Sequence, residues 1–451
     1  MKRALILLAL CALTATHTAT ATAMEPAGRW SLQEAIETAL KENNLVKAAG
    51  YGAEAAKYGV AVARAGYYPG IFFEESLAAS NAPTQTFMMK LDQGRFSQND
   101  FLISNLNHPS THQDFRTALT IQQQLYNPSL SPMREIAEKT AEKESLGLEG
   151  ARQDIAFRVF RLYLEIQKAS ARRSAAEQAI GDARENLRLA RVRGAAGLGL
   201  RSDELRARTH LATMEQQNIT AHNNLLLAQL QLANTLGLPE GTPVDIAGPA
   251  TTLAITIPAQ ELARTAQESR SDLQQSRVEL DRSEAALKLA RSAYLPTVSA
   301  FASYQMDSRD TPLGSDNDAW LAGVSLKWQI FDGFKRGSER DRAAASRAAA
   351  NELLINRKRE SSYQVTESFL RHKESGQRLA VARHALVDAE ETVRLLTKRY
   401  ENSLATLVDL LDAQTALNQV RANLVDTEVD YALAGGRIYY TAGRFLKEIM
   451  K

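Results

Sequence analysis

Four short segments of the chain alternate apolar and polar side chains, which is the pattern of strands with one apolar face. In the clearest segment, every even position of 320–330 is apolar, whereas the odd positions are mostly polar. Glu75 and Phe301 are exceptions to the alternation. The four predicted strands are residues 70–80, 115–126, 297–306 and 319–331. At about ten residues each, they have the length of tilted strands that cross a bilayer with the polar face toward an aqueous lumen.

Apolar side chains recur every seven residues along two long tracts, as they do in coiled coils. The recurring positions are Leu379, Leu386, Val393 and Tyr400, then Leu410, Leu417, Leu424 and Tyr431, and in the first half Val159, Ile166, Ile180 and Leu187. No proline interrupts residues 133–238 or 313–451. We therefore predict long helix pairs over 133–237 and 335–448, and the stretch 133–197 alone would reach about 100 Å. Because these tracts are strongly charged, they should project through an aqueous compartment.

The chain carries the signature of an internal duplication. The string Arg64-Ala65-Gly66-Tyr67-Tyr68-Pro69 aligns with Arg291-Ser292-Ala293-Tyr294-Leu295-Pro296, and both end a helical pattern before an extended one. Each half follows the order helix, strand, loop, strand, very long helix, turn and helix. We assign the first repeat to residues 24–237, a linker rich in proline and glycine to 238–258, and the second repeat to 259–451.

Residues 1–23 have the order of a secretory signal peptide, with the basic pair Lys2-Arg3, an apolar run and small residues ending at Ala23. We expect cleavage after Ala23. Leu10 rather than a small residue precedes Cys11, so no lipid anchor is predicted. No other stretch approaches about 18 consecutive apolar residues, the length of a transmembrane helix. The mature chain is therefore either free outside the cytoplasm or crosses a membrane as strands.

The four alternating segments have two interpretations. A half-buried sheet in a soluble protein produces the same alternation, but four such segments in an exported chain favour membrane-spanning strands. An open sheet edge in hydrocarbon would leave backbone groups unpaired. The smallest known closed spans use about eight strands, so copies of this chain are expected to assemble, most simply with cyclic symmetry.

Charge and composition exclude several classes of function. The 451 residues include 54 Lys and Arg against 52 Asp and Glu, and loss of Lys2 and Arg3 with the leader leaves 52 against 52. Nucleic acid is not expected as a main partner, because binding it needs a basic surplus or stripe. Cys11 is the only cysteine and lies in the leader, so the mature chain has no disulfide and no thiolate site.

The sequence contains no signature of an enzyme. His108 and His112 are the only close histidine pair, but Pro109 between them argues against the helical spacing of a metal site. A surface loop is the better interpretation of this stretch. We find no phosphate loop, nucleophile elbow or zinc signature. Neither catalysis nor a cofactor or metal is therefore expected.

Taken with the predicted leader, strands and long helices, one local sequence carries a family resemblance. It runs Arg399-Tyr400-Glu401-Asn402-Ser403-Leu404 and continues Leu407-Val408-Asp409-Leu410-Leu411-Asp412-Ala413-Gln414. The chain resembles the TolC-like outer membrane factor family, also called outer membrane efflux proteins, from about Ser31 to Gly443. The resemblance implies an α+β membrane protein in which a homotrimer forms a twelve-stranded transmembrane β-barrel and a coiled-coil tunnel of twelve helices.

The same resemblance implies a location and partners. The barrel would lie in the outer membrane of a Gram-negative bacterium, in contact with its lipid, and the helices would extend into the periplasm. The protein would act as a passive exit duct of a tripartite efflux or type I secretion system. Its partners would be a periplasmic adaptor (membrane fusion) protein and an inner-membrane RND or ABC pump. The alternative is a periplasmic coiled-coil scaffold without channel activity, which would not need four alternating strands. The cargo cannot be read from the sequence.

The resemblance also assigns a gate at the periplasmic end of the tunnel. Tyr400 and Asp203 match positions that help to hold neighbouring helix pairs together, and Asp409 and Asp412 match carboxylates that ring the constriction. Asp409 and Asp412 are three residues apart and would share a helix face. Three copies would bring six carboxylates to one axis, which should raise some of their pKa values and attract cations. The alternative is that these aspartates are solvated or paired with nearby arginines.

The two helical turns at 194–200 and 402–406 are the adaptor-facing tips by resemblance. The tip residues are Gly197, Leu198, Ser403 and Leu404. Ala405 stands where some members carry an arginine, and Arg201 could replace it from the other turn. Ser403 replaces the usual turn glycine. The first loop, residues 81–114, is longer than usual in the family, and its role is not evident from the sequence.

Overall fold

The computed structural model describes residues 29–197, 199–249, 255 and 257–450. The predicted signal peptide, its cleavage site after Ala23 and the tip residue Leu198 lie outside the described residues. In the described part of the chain, no helix combines the length and hydropathy needed to cross a membrane.

The elements of the first half, in chain order, are β1 (Arg29–Trp30), α1 (Leu32–Glu42), α2 (Asn44–Ala65), β2 (Gly70–Ser80), α3 (Pro83–Asp92), a 3₁₀ turn (Gln98–Phe101), α4 (Ile103–Asn107), β3 (His112–Tyr126), α5 (Leu130–Ala195) and α6 (Arg201–Leu236). The elements of the second half are β4 (Asp245–Ile246), α7 (Ala259–Ser269), α8 (Ser271–Ser292), β5 (Thr297–Ser308), β6 (Asn317–Lys327), α9 (Lys335–Glu401), α10 (Leu407–Thr441) and α11 (Phe445–Ile449).

The long helices lie side by side in four rows. The first row is α6 continued by α2, the second is α5, the third is α10 continued by α8, and the fourth is α9. Asn43 Nδ2 joins the two helices of the first row by donating to Thr235 O at 2.8 Å. Arg270 joins the third row in the same way through Thr441 O at 3.2 Å. The α6/α2 row and α9 are therefore the outer rows of the layer.

Two short breaks allow each composite row to continue. Asn43 Oδ1 accepts from the backbone of Leu45 at 2.8 Å and so caps α2. Gly237 ends α6 with φ of 77°, and a side chain there would come within 2.7 Å of Glu42 O. Only glycine tolerates both the left-handed backbone and this close approach.

The four longer strands form one antiparallel sheet in the order β2-β3-β5-β6. Arg116 lies opposite Asp307 and Thr120 lies opposite Ser303, so these polar side chains share one face. The other face is apolar, and its large exposed side chains are Ile71, Phe73, Leu77, Leu119, Ile121, Tyr304, Trp320, Val324 and Leu326. The predicted alternation is therefore present in the sheet. β2 and β6 each have one edge without a partner strand among the described residues.

The two exceptions noted in the sequence, Glu75 and Phe301, each have a local explanation. Glu75, on the apolar face, accepts a hydrogen bond from the hydroxyl of Thr117 directly opposite. Phe301 lies on the polar face opposite Gly323, where a side chain would come within 2.9 Å of the phenyl ring. The glycine therefore provides the space that the aromatic ring fills.

The observed boundaries differ from the predicted ones at several ends. β3 begins at His112 rather than 115, β5 continues to Ser308 rather than 306, and β6 covers Asn317–Lys327 rather than 319–331. Beyond β6, the carbonyls of Gln329 and Ile330 accept from the guanidinium of Arg336 at 2.8 and 2.9 Å. Because a side chain satisfies these carbonyls, the chain leaves the sheet there and turns into α9.

The predicted helix pairs 133–237 and 335–448 also differ at their ends. α5 begins at Leu130 rather than 133. Pro132 is compatible with this earlier start, because it lies in the first turn, where the backbone N–H groups have no partner within the helix. α10 ends at Thr441, and Gly443 with φ of 69° separates it from α11. The predicted linker 238–258 contains β4, which pairs in parallel with β1. The periodicity gave no signal for that pairing.

The largest buried cluster lies where α1, α5, α6 and α11 meet. Its fully buried large side chains are Ile36, Phe160, Leu164, Ile166, Leu232, Leu236 and Phe445. Burial of each such side chain contributes about 1.5–3 kcal/mol. This cluster fixes the middle of the layer, so the helix tips lie far from both the core and the sheet.

Candidate functional site

The turns that end α5 and α9 lie together at the tip of the helical layer. A buried cluster joins all four long helices there and consists of Leu187, Ala190, Ala207, Tyr400, Leu407 and Leu410. Because α5 has 66 residues, this tip is about 100 Å from the sheet end of that helix. The predicted tip turns are therefore brought together in one protomer.

Arg193 links the ends of α5 and α9. Its guanidinium carbon lies 4.7 Å from the ring centroid of Tyr400, which is a cation–π distance. The same guanidinium donates to the backbone carbonyl of Tyr400 and to Ser403 Oγ at 2.7 Å. Three contacts from one side chain therefore hold the two turns together.

Arg193 was missed by the sequence analysis, although a signal for it existed. It follows the buried Asn186 by seven residues and the buried Ala190 by three, so it continues the inner seam of α5. A long cation at a seam position suggests a specific partner on the neighbouring helix. From the sequence alone, Arg201 is the expected substitute for the missing arginine at Ala405.

Arg201 has a different partner. Its guanidinium pairs with Glu204 on the same helix. Arg208 and Arg191 also approach Glu204, at 2.9 and 3.4 Å. Burial of the Glu204 carboxylate raises its pKa, but these three arginines outweigh that effect and hold the pKa below its usual value. Arg201 therefore belongs to a charge cluster in the first half of the chain, and no contact with Tyr400 is present among the described residues.

Both turns use left-handed backbone. Gly197 has φ of 74° and Ser403 has φ of 63°. For a residue with a side chain, this conformation costs about 1–2 kcal/mol. Ser403 occupies the position of the usual turn glycine, and its hydroxyl is bound by Arg193. Leu404 projects into solvent at the end of the same turn.

Asp409 caps the helix that follows the second turn. Its carboxylate accepts from the backbone N–H of Thr406 at 2.9 Å and from the Thr406 hydroxyl at 2.7 Å. In return, the N–H of Asp409 donates to Thr406 Oγ1 at 3.2 Å, which completes a capping box. These hydrogen bonds, followed by the charge of Arg399, hold the pKa of Asp409 below its usual value. Within one protomer the pKa is therefore lowered, whereas the proposed carboxylate ring would raise some pKa values.

Asp412 lies one turn further along α10 and is exposed. Within the described residues it has neither an ion pair nor a side-chain hydrogen bond. The two aspartates therefore differ, because Asp409 is engaged by its own helix, whereas Asp412 presents an unpaired carboxylate. The arrangement of these groups around a symmetry axis stays a prediction.

Tyr400 is nearly fully buried, with 4% of its surface exposed. Burial raises the pKa of its hydroxyl, the charge of Arg193 opposes this, and the charge of Asp203 adds to it. Asp203 is therefore near enough to influence the phenol. In the part of the chain that the structure describes, no hydrogen bond joins the two side chains. A direct Tyr400–Asp203 link between helix pairs stays a prediction.

A second contact between the two halves of the chain lies behind the tip cluster. Asn186 Nδ2 of α5 donates to Gln414 Oε1 of α10, and the two side chains are only 4% and 9% exposed. Gln414 ends the local sequence that carries the family resemblance. A buried amide pair of this kind fixes the register of the two helices, because any slip would leave both groups unsatisfied.

The two outer rows of the helical layer carry most of the exposed large apolar side chains of the long helices, whereas the inner helix α5 exposes Met133 and Val192. On the first row these are Tyr51, Tyr58 and Val62 of α2 with Ile219, Leu226 and Leu230 of α6. On the opposite row they are Tyr363, Leu370, Val381 and Leu395 of α9, which share one helix face. By contrast, the inner row of α8 and α10 exposes one large apolar side chain among the described residues, Val408.

The sequence matches the outer membrane efflux protein family over residues 35–238 and 262–444. It is 25% identical over 140 residues to nodulation protein T of Rhizobium leguminosarum bv. trifolii. That alignment covers 29% of this chain and only 30% of the relative.

Solved structures share the fold at low identity. The fold is similar to CusC, a protein studied for folding and transmembrane channel formation, with a TM-score of 0.79, 16% identity and coverage of 94% of this chain and 95% of CusC. For the Campylobacter jejuni CmeC outer membrane channel the TM-score is 0.79 at 17% identity, with coverage of 93% of this chain and 89% of CmeC. For the Neisseria gonorrhoeae MtrE outer membrane channel in its open state, the TM-score is 0.76 at 16% identity, with coverage of 93% of this chain and 90% of MtrE. These likenesses establish the architecture.

Proposed function

Because the chain belongs to the outer membrane efflux protein family, we propose that it is the trimeric outer membrane exit duct of a tripartite efflux or type I secretion system. It is a passive conduit and not an enzyme. The α-helical layer forms the periplasmic tunnel, and the sheet contributes four strands to a twelve-stranded barrel.

The observation that carries this proposal is that the sheet and the helical layer each have two outer edges without a packing partner among the described residues. The sheet ends at β2 and β6, whose outer edges lack a partner strand among the described residues. Such an edge would be very costly in hydrocarbon, so further copies must pair with it. The outer helix rows carry apolar side chains with the same requirement. Both requirements are met when neighbouring copies assemble side by side. The β6 edge of one copy then pairs with β2 of the next, and the apolar face of α9 packs against the α6/α2 row of the next.

Internal duplication fits this architecture. The helix–strand junctions α2–β2 and α8–β5 fall at the two aligned sequence strings, and each half then has a second strand and a long helix pair. Three duplicated chains would place six similar units around the axis. Each unit would supply two strands and two helix rows.

The tip of the tunnel acts as the gate. The Arg193–Tyr400–Ser403 contacts hold the α5/α6 pair against the α9/α10 pair, and release of these contacts lets the pairs part. Asp412, together with Asp409, makes the constriction acidic, and Asp203 completes the set of gate residues. A periplasmic adaptor binds the turns at Gly197, Leu198, Ser403 and Leu404 and couples the duct to an RND or ABC pump.

Assembly provides the test, with one matched pair of substitutions on α9. Val381, 70% exposed, lies on the outer apolar face, whereas Val387, 65% exposed, lies on a different face of the same helix. We expect Val381→Glu to abolish the trimer and Val387→Glu to preserve it, because only the first buries a charge between protomers. The oligomeric state is measured as the mass of the purified protein in detergent, and channel activity is measured as conductance in planar bilayers. A soluble monomeric wild type without conductance would refute the channel and favour the scaffold.

A further inference from the structure

The segment between β2 and β3 is much longer than the sheet requires. Ser80 and His112 lie directly opposite each other at the end of the two strands. A turn of about two residues could join them. The chain instead uses residues 81–111, which contain α3, the 3₁₀ turn and α4. We call this segment the cap.

The cap is a folded unit. The ring of Phe96 contacts those of Phe87 and Phe101 at centroid distances of 4.5 and 5.0 Å. Lys90 Nζ pairs with Asp100 Oδ1 at 2.6 Å, and both side chains are largely buried. This ion pair, together with hydrogen bonds from Ser97, lowers the pKa of Asp100 to about 2. The cap therefore has its own small aromatic core and its own internal ion pair.

The cap is docked on the polar face of the sheet. Gln93, at the end of α3, donates to Asp114 Oδ1 at 2.8 Å, and both side chains are almost completely buried. Arg116 donates to Asp92 of the cap at 2.8 Å and to Asp307 at 2.7 Å. Asp114, Arg116 and Asp307 all lie on the polar face, because alternate residues of a strand share a face.

A further contact extends the docking to the edge strand β6. Asn317 Nδ2 donates to Asp92 O at 3.0 Å. The cap therefore spans β3, β5 and β6 at the end of the sheet that is opposite the long helices. In the proposed barrel the polar face surrounds the aqueous lumen, so the cap lies inside the outer mouth of the channel.

The cap exposes several large apolar side chains. Its exposed large side chains are Met88, Leu91, Phe101, Leu102 and Ile103, and Ile103 is 77% exposed. Three copies related by the channel axis would direct three such surfaces toward one another across the lumen. The occupant of this surface is therefore the cap of the other two copies, since lipid lies on the opposite face of the sheet.

We propose that the three caps meet on the axis and form an outer gate, distinct from the gate at the helix tips. This inference rests on the proposed trimeric channel. Apolar side chains at a narrow constriction exclude water and ions by dewetting. Passage then requires α3 to move away from the end of β6. The channel therefore has a constriction at each end, with an acidic one in the periplasm and an apolar one at the outer mouth.

The first test removes the cap. Residues 81–111 are replaced by Asn-Gly, which joins Ser80 to His112 in a tight hairpin. If the caps narrow the lumen, single-channel conductance in planar bilayers rises at least about twofold over that of wild type. Trimer formation is checked by native mass determination. Both chains, with and without the cap, also carry Arg193→Ala, so that the tips are parted and the outer gate alone limits conductance. Unchanged conductance of the trimeric hairpin variant then overturns the outer gate, whereas the absence of conductance from both chains overturns the proposed channel.

The second test keeps the cap and locks it. A side chain on Gly94 would place its Cβ 3.5 Å from the Cβ of Asn317, which is within disulfide range. In the double variant Gly94→Cys with Asn317→Cys, we expect oxidation to reduce conductance and cellular export, and a reductant to restore both. Gly94→Cys alone is the control for the left-handed backbone at that position. Equal conductance of the oxidised and reduced double variant would overturn the proposal.

Discussion

Replacement of Arg193 by alanine tests the link at the helix tips most directly. The substitution removes the cation–π contact with Tyr400 and the hydrogen bonds to Tyr400 O and Ser403 Oγ. A cation–π contact of a half-buried arginine contributes about 1 kcal/mol. A hydrogen bond from a charged donor contributes about 1.5 kcal/mol at the lower end of its range, which suits this partly exposed site. With one cation–π contact and two hydrogen bonds removed, we therefore expect the joined state of the tips to lose about 4 kcal/mol.

A loss of that size has a large effect on gating. At about 1.4 kcal/mol per factor of ten, the equilibrium between joined and parted tips shifts roughly 700-fold toward the parted state. The assay is open probability in single-channel recordings of the purified trimer. In cells, Arg193→Ala combined with replacement of residues 81–111 by Asn-Gly should admit large polar antibiotics that the intact outer membrane excludes, because both gates are then open.

Arg188 provides a matched control on the same helix. Its guanidinium pairs with Glu185 within α5 and makes no hydrogen bond to another helix among the described residues. Arg188→Ala should therefore leave the open probability unchanged, while Arg193→Lys should fall between wild type and Arg193→Ala, because lysine lacks the planar fork. Equal open probabilities for Arg193→Ala and Arg188→Ala would refute the assignment of Arg193 to the gate.

Three further outcomes are expected. Ser403→Gly should change the thermal stability of the trimer little, because relief of about 1 kcal/mol of left-handed strain offsets the lost hydrogen bond to Arg193; a shift equal to that of Arg193→Ala would contradict this. Asp409→Ala should cost about 1 kcal/mol through the lost cap. Since the folded pKa of Asp409 is lowered, this difference from wild type should be full above about pH 4 and disappear as the pH falls through the folded pKa; a constant difference in melting curves would be inconsistent with it. Asp412→Asn should weaken block of the channel by multivalent cations from the periplasmic side, whereas Asp430→Asn, which removes a charge paired with Arg378, should not.

The sequence by itself determined the layout of secondary structure. Alternation along 320–330 and its three counterparts identified all four strands of the sheet, and the heptad positions from Leu379 to Tyr400 identified the seam along which α9 meets α10. These patterns can be recognised in the sequence because a single apolar face requires apolar side chains to recur every two residues in a strand and every seven residues in a coiled-coil helix. The resemblance carried by the stretch from Arg399 to Gln414 then identified the family, which the match over most of the chain confirms.

The tertiary structure decided which side chains meet across the layout. Arg193 and Tyr400 are 207 residues apart in the chain, and Arg116 and Asp307 are 191 apart. No periodicity relates such positions, so the sequence suggested Arg201 where the fold uses Arg193. The cap was equally hidden, because its helices are short and are stabilised by docking on the sheet. The spacing of apolar residues along the chain indicates which face of a helix or strand a residue occupies. Its contact partner depends on how distant segments pack, and therefore on the whole fold.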